Sequence, residues 1–350
     1  MPKNDETSRR QVIAGIAGAA VAAAFRPIAA AEKPTVGGLM IPKATFEDRS
    51  LNPLDLMKSL SNWGRWGKDD VLGTLNLITP KTRAAAFATL REGITVGCGF
   101  KYKVQVGRGT PQRFMMMMPR DMQPIAGPHA GEAAEQVLIG THEGWGTHLD
   151  GLNHTYMDGK MYNGFSVDNL KTMEGAGAAD LTHLGAGIVG RGVLLDATKL
   201  LGVKTLEPGY AVKPEHLEEM ERRQGVKVRE GDILFLRVGL DTRYLEGADM
   251  ARSGCWHASC LPWFHKRGVA AIGGDHGDEL FPSGFEWSEI PYPIHWVGIP
   301  AMGLWLIDWC DLEALAAKCA ELKRYAFLMS IGTLRIPGTS ASPVQPIAMF

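Results

Sequence analysis

A surplus of charge is missing from this sequence. Its 350 residues hold 37 Lys+Arg against 38 Asp+Glu, a formal net charge of −1. Without a basic excess there is nothing to track a phosphate backbone, so nucleic acid is not an expected partner. Cysteine is scarce as well. Cys98, Cys255, Cys260, Cys310 and Cys319 are an odd number, in a chain long enough to bury its own core, so a disulfide framework is not expected. Cys255-Trp256-His257-Ala258-Ser259-Cys260 has the residue types of a soft metal site but lacks the second pair of a zinc ribbon. Buried free thiols are the expectation. With 45% hydrophobic and 21% charged residues, the composition is that of a globular protein, neither disordered nor built of membrane spans.

Several catalytic motifs are also missing. There is no G-x-x-x-x-G-K-[ST] loop for phosphates and no G-x-S-x-G nucleophile elbow. Gly185-Ala186-Gly187-Ile188-Val189-Gly190 spells G-x-G-x-x-G, but strand-like residues follow it where a dinucleotide site needs a helix.

What is present begins with an expected export signal at residues 1–31. Ser8-Arg9-Arg10-Gln11-Val12-Ile13 is a twin-arginine pattern, an Ala- and Gly-rich apolar run extends to Phe25, and Ala29-Ala30-Ala31 is a small-residue cleavage site. The apolar run is too short to stay as a membrane span. The segment holds Lys3, Arg9, Arg10 and Arg26 against Asp5 and Glu6, so the remainder carries 33 basic and 36 acidic residues. A periplasmic or secreted protein of residues 32–350 is expected.

Within 32–350, apolar runs at Ile94–Cys98, Ile188–Leu195, Ile233–Val238, Val269–Ile272 and Ala326–Ile331 read as strands. Helical patterns cover 80–91 (Thr79 capping, Pro80 first), Pro214–Arg223, Leu261–Lys266 and Leu312–Lys323 with Asp311 as cap. Strands alternating with helices predict an α/β fold, with strands buried on both faces. No Pro/Ser-rich linker divides the chain, so one domain is expected. The turn Asn62-Trp63-Gly64-Arg65-Trp66-Gly67 anchors its tryptophans in the core or offers Trp63 and Trp66 as a substrate wall, with Trp145 a third candidate. Met115–Met118, flanked by Pro111 and Pro119, reads as a loop or edge segment that packs into the core or lines a pocket.

The richest stretch is Thr141-His142-Glu143-Gly144-Trp145-Gly146-Thr147-His148-Leu149-Asp150-Gly151-Leu152-Asn153-His154. Residues two apart on a strand share a face, so His148 and Asp150 can reach one metal ion. Gly151 ends the strand and lets His154 turn back toward the same pocket. Imidazole plus carboxylate suits zinc or manganese, and a nearby imidazole that is not a ligand can move protons.

This stretch resembles the signature H-x-G-T-H-x-D-x-x-x-H of the metal-dependent cyclase family, which includes bacterial kynurenine formamidase and isatin hydrolase. Gly146-Thr147-His148, Asp150 and His154 match it. Asn62–Gly67 with Gly73-Thr74-Leu75-Asn76, Asp158–Gly164, Arg229–Leu234, Pro262-Trp263 and Gly338–Val344 resemble its longer branch, so the likeness runs over roughly residues 55–350. The resemblance implies a mixed sheet or barrel-like core flanked by helices, of the swivelling β/β/α type. It implies His148 and Asp150 as metal ligands with His295 and Asp308 as later ones, and His154 as acid/base. It also implies a homo-oligomer acting on a small molecule.

One departure is plain. The first His of the signature falls on Gly144, which has no ligand to offer. His142, on the same face by strand parity, is the nearest substitute, although two strand residues span about 6–7 Å. His257 and His276 are further candidates. The expected activity is hydrolysis of the carbon–nitrogen bond of a small amide, aryl-formamide-like or cyclic, with a Mn2+- or Zn2+-activated water. The alternatives are cyclisation or lactone chemistry on an aromatic or polyketide-like substrate, or a periplasmic binding relative without catalysis.

Overall fold

The computed structural model describes residues 35–36, 39–40, 51–102, 114–124, 131–142, 146–239, 254–280, 283 and 290–350. The expected export signal, Gly144 and Trp145 lie outside these residues. The strands that matter are β1 (Thr95–Gly97), β2 (Phe114–Pro124), β3 (Gly131–Ile139), β4 (His148–Asp150), β5 (Ile188–Asp196), β6 (Ile233–Arg237), β7 (Ala271–Gly274), β8 (Trp305–Asp308), β9 (Ala326–Ile331), β10 (Ala341–Pro343) and β11 (Ile347–Met349).

Nine of these strands form one sheet in the order β10-β4-β8-β7-β6-β5-β9-β11-β1. The central four, β8-β7-β6-β5, are parallel, and every other pairing is antiparallel. The parallel strands are almost wholly buried, as apolar runs covered on both faces must be. The sheet cannot be flat. Only Val344–Pro346 separates β10 from β11, which stand first and eighth in the order. Seven strand spacings amount to about 33 Å, whereas a three-residue link reaches about 14 Å. The sheet therefore curls into a half-barrel, and a bridge from Gly99 to Cys310 ties its β1 end back toward β8.

Helices flank this sheet: α1 (Pro53–Ser59), α2 (Pro80–Phe87), α3 (Ala197–Leu201), α4 (Pro214–Gln224), α5 (Cys260–Arg267) and α6 (Glu313–Leu322). Thr79 caps α2 as expected, its hydroxyl accepting from the Thr82 N–H. The helix ends at Phe87 rather than residue 91, because the Thr89 and Leu90 N–H groups tighten to carbonyls three residues back. β7 starts two residues later than expected: the Val269 N–H turns back to the Phe264 carbonyl and that of Ala270 goes to Asp232. A single apolar cluster runs through sheet and helices, one core for the described residues. All five cysteines are free and buried within it. Burial pushes the thiols of Cys98 and Cys319 up to about 12, out of reach of reactivity.

The methionine run is a correction. It forms an edge strand, β2 of the two-stranded β2–β3 hairpin, as one of the two expectations had it, but Met116, Met117 and Met118 are exposed rather than packed into the core.

A π-helix, Ile294–Met302, leads into β8. Its C-terminal carbonyls are capped by the turn that the sequence marked with two tryptophans. The Asn62 N–H donates to Ala301 O (2.9 Å), Asn62 Nδ2 to Met302 O (2.9 Å) and Trp63 Nε1 to Pro300 O (2.6 Å). Gly303 ends the helix with φ 67°, its carbonyl accepting from both the N–H and the hydroxyl of Thr74. Gly73 lies so close that a Cβ there would stand 2.3 Å from that carbonyl, in a backbone with φ +54°. Gly73→Ala should therefore cost roughly 2–4 kcal/mol from overpacking and left-handed strain together, measured by urea denaturation. A loss below about 0.5 kcal/mol would mean that this contact does not fix the helix end.

Candidate metal centre

Two strands, two turns and a π-helix bring the site together. His148 and Asp150 project from the same face of β4, and Asp308 on β8 sits directly opposite His148 in the antiparallel register. Asp308 closes the C-terminal end of a parallel strand, the end at which α/β sheets hold their ligands. His154 arrives through a turn in which its N–H donates to Gly151 O (3.0 Å). Gly151 is required there, since a Cβ would stand 2.7 Å from Leu181 and 3.0 Å from Ser340 O. His295 enters from the first turn of the π-helix, and the Thr155 hydroxyl donates to its carbonyl (3.1 Å).

All four imidazoles present Nε2 to one carboxylate. Asp150 Oδ1 is 3.1 Å from His142 and 3.4 Å from His148, while Oδ2 is 3.6 Å from His154 and 3.5 Å from His295. Asp308 Oδ2 lies 3.9 Å from both His148 and His295. The set divides into two trios that share Asp150: His142–His148–Asp150, and Asp150–His295–Asp308. Donors bonded at about 2.0–2.2 Å to one cation stand about 3–3.5 Å apart at tetrahedral angles, so these separations fit one ion or two. Among the described residues, Asp150 Oδ2 and Asp308 Oδ1 are buried with no hydrogen-bond partner, which a cation would supply.

The motif's smaller residues aim these ligands. His148 Nδ1 meets Gly146 O at 2.8 Å. A carbonyl only accepts, so Nδ1 carries the proton and Nε2 keeps its lone pair for the site. The Thr147 hydroxyl donates to Trp309 O (2.5 Å) and accepts from the Phe100 N–H (2.8 Å), pinning β4 beside the end of β8. Gly146 makes room for Tyr102, whose ring would stand 2.4 Å from a Cβ there.

Burial works against charge on Asp150, but His154, His142 and His148 outweigh it and hold the carboxyl well below the usual range. Burial drives His154 down to about 4, with Asp150 opposing and His142 and His295 adding to the depression. Burial also opposes a charge on His295, yet the nearby Asp308 carboxylate and the hydrogen bond to Glu279 raise it well above the ordinary value. Access is from the side of His142 and His154, whose side chains are 30% and 25% exposed against 3% for His148.

His142 reaches the site by a route that strand parity did not anticipate. It lies in a turn after the β2–β3 hairpin, not on β4, so no strand spacing limits its approach. Its ring stacks on that of His154, with centroids 3.9 Å apart and planes 10° from parallel. His257 is elsewhere, its Nδ1 bonded to Ser259. His276 is wholly buried, with Nδ1 on Cys255 Sγ and the Asp278 N–H, and belongs to neither trio. Trp63 caps the π-helix, and Trp66 carries the Arg65 guanidinium over its ring at 4.7 Å.

Two further acidic residues escaped the sequence reading. Asp278 bonds the Trp256 indole N–H (2.8 Å); burial and then the neighbouring Asp308 push it well above the carboxylate range. Glu279 bonds His295. The visible signal was an acidic run, Asp275 to Glu279, directly after a parallel strand.

Burial pushes His276 down to about 3. Between about pH 6.5 and 3 the unfolded chain therefore binds a proton here that the folded chain refuses. Stability of the metal-free protein should fall as pH drops through that window, by up to about 1.4 kcal/mol per pH unit from this residue. His276→Gln should flatten the slope in urea melts taken from pH 7 to 4. An unchanged slope would contradict this origin.

Comparison with known proteins agrees with the geometry. A crystal structure described as a novel cyclase superposes with a TM-score of 0.73 at 26% identity, covering 83% of this chain and 100% of its own. Isatin hydrolase A from Ralstonia solanacearum gives 0.52 at 19% identity, covering 76% of this chain and 94% of its own. An isatin hydrolase bound to the product analogue thioisatinate gives 0.51 at 14%, covering 77% and 98%. These last two show a shared fold. No curated protein matches the chain. Residues 75–278, more than half of the sequence and including the stretch from His142 to His154, match the family Cyclase, described as "Putative cyclase". The chain belongs to the Cyclase family.

Proposed function

We propose that this protein is a metal-dependent hydrolase that opens the carbonyl–nitrogen bond of a small amide, aryl-formamide-like or cyclic. The observation that carries the reading is the buried Asp150 carboxylate, flanked by four imidazole Nε2 atoms at 3.1–3.6 Å, two of which also face Asp308 at 3.9 Å. His142, His148 and Asp150 Oδ1 would hold a cation on one side; Asp150 Oδ2, His295 and Asp308 on the other. A divalent ion there, manganese or zinc, supplies Lewis acidity toward a carbonyl and acidifies water.

His154 does the proton work. Held neutral down to about pH 4, it is ready at neutral pH to accept a proton. The ring stands at the exposed mouth, with its plane set by the stacked His142. In the reaction a water oxygen bonds to the carbonyl carbon and His154 takes the water proton. The carbon–nitrogen bond breaks as His154 returns that proton to the nitrogen. Buried His148 and Asp308 form the floor. The two solved relatives named isatin hydrolases agree with hydrolysis ahead of cyclisation. Gly144 offers no ligand, but His142 beside Asp150 at 3.1 Å supports catalysis over ligand binding alone. The twin-arginine pattern places the mature enzyme, in this proposal, outside the cytoplasm.

Metal analysis of protein prepared without added ions, followed by a screen of small amides with Mn2+ or Zn2+, tests the reading. His148→Ala should lose both metal and turnover. His154→Ala should keep the metal and lose about 10²–10⁴-fold in kcat. Hydrolysis also incorporates oxygen from 18O-labelled water into product, and cyclisation does not. Wild-type protein that binds no divalent ion, with His148→Ala as active as wild type on the best substrate, would sink the proposal.

A further inference from the structure

We infer that Glu279 is the positioning residue for His295, fixing which of its ring nitrogens faces the metal cradle. The inference rests on the function proposed above, but its geometry stands by itself. Glu279 reaches the N-terminus of the π-helix from the segment after β7. Its Oε2 accepts from the Ile294 N–H (3.0 Å), the His295 N–H (3.1 Å) and His295 Nδ1 (3.2 Å). Pro293, at the cap position, supplies no side-chain bond, so these helix donors would otherwise be orphaned.

A capping role alone explains two of the three bonds. The third is specific to the imidazole. An oxygen that already accepts two N–H groups presents lone pairs, so Nδ1 must carry the proton it shares with Oε2. That orientation turns Nε2 toward Asp150 Oδ2 at 3.5 Å and Asp308 Oδ2 at 3.9 Å. The conclusion holds whether His295 is neutral or charged, since Nδ1 bears a proton in both forms. Among the described residues, Glu279 Oε1 is buried with no hydrogen-bond partner, so none of them competes for the carboxyl. The side chain is 7% exposed, and water does not replace it. The far end of the same helix is held by Asn62 and Trp63, so rotation of the helix cannot compensate for loss of Glu279. His148 gets the same service from the Gly146 carbonyl. Each trio therefore has at least one imidazole oriented through Nδ1.

Two readouts test this. In metal-free protein with 15N-labelled histidine, one imidazole Nδ1–H should resonate far downfield and exchange slowly. It should vanish in both Glu279→Ala and His295→Ala and survive in Glu279→Gln, whose amide oxygen can still accept. Titration with Mn2+ and with Zn2+ should show affinity falling about 10–100-fold in Glu279→Ala. The same substitution in a His295→Ala background should cost no further affinity. Absence of the downfield proton in wild type, or an equal affinity loss with and without His295, would overturn the inference and leave Glu279 a helix cap. A wild type that shows the proton but binds no divalent ion would instead overturn the proposed function, with the positioning of His295 intact.

Discussion

Asp150 is a carboxylate almost wholly removed from water, and one of its oxygens has no hydrogen-bond donor among the described residues. An isolated buried charge of this kind is costly unless it is paired. Here the pairing is supplied by four imidazoles from four different places in the chain: a turn after a hairpin, the strand itself, the turn that follows it, and a π-helix. Much of the local architecture exists to keep those rings in place. The curl of the sheet, forced by the three residues between β10 and β11, puts β10 beside β4 and the end of β1 near β8.

The supports are unequal in kind. His148 is held by its own motif, through the carbonyl two residues before it and the threonine between. His295 is held from a distance, by Glu279 at one end of its helix and by Asn62 and Trp63 at the other. His154 is held by the turn at Gly151 and by stacking against His142. The rings locked through Nδ1 are deep, whereas the stacked pair stands at the opening. Neighbouring charge, not depth, separates their proton affinities: desolvation lowers His154, while Asp308 and Glu279 raise the deeper His295 against its burial.

Unusual backbone collects around the same place. Asp278 (φ 40°) and Trp309 (φ 57°) both adopt left-handed conformations, one beside Glu279 and the other directly after Asp308. Such positions persist where surrounding contacts over-determine them. The Trp309 N–H on the His276 carbonyl and the Cys310 N–H on that of Gly274 bind the two loops together. The acidic run after β7 is thereby held against the end of β8.

The sequence by itself determined the alternation of buried strands with helices, and it determined His148, Asp150 and the return of His154. Each of these depends on neighbours within a few residues: apolar runs, strand parity, a glycine that permits a turn. His295 and Asp308 were legible only through resemblance, because nothing adjacent to them distinguishes a ligand from a capped histidine or a helix-opening aspartate. Only the tertiary structure decided that His142 serves the site, since its approach depends on a hairpin leaving the sheet rather than on spacing along β4. The same holds for Glu279, whose three bonds cross from one segment to another, and for the methionine run, whose exposure no composition could reveal. Local periodicity is written in the chain; the meeting of distant side chains is set by how the sheet curls.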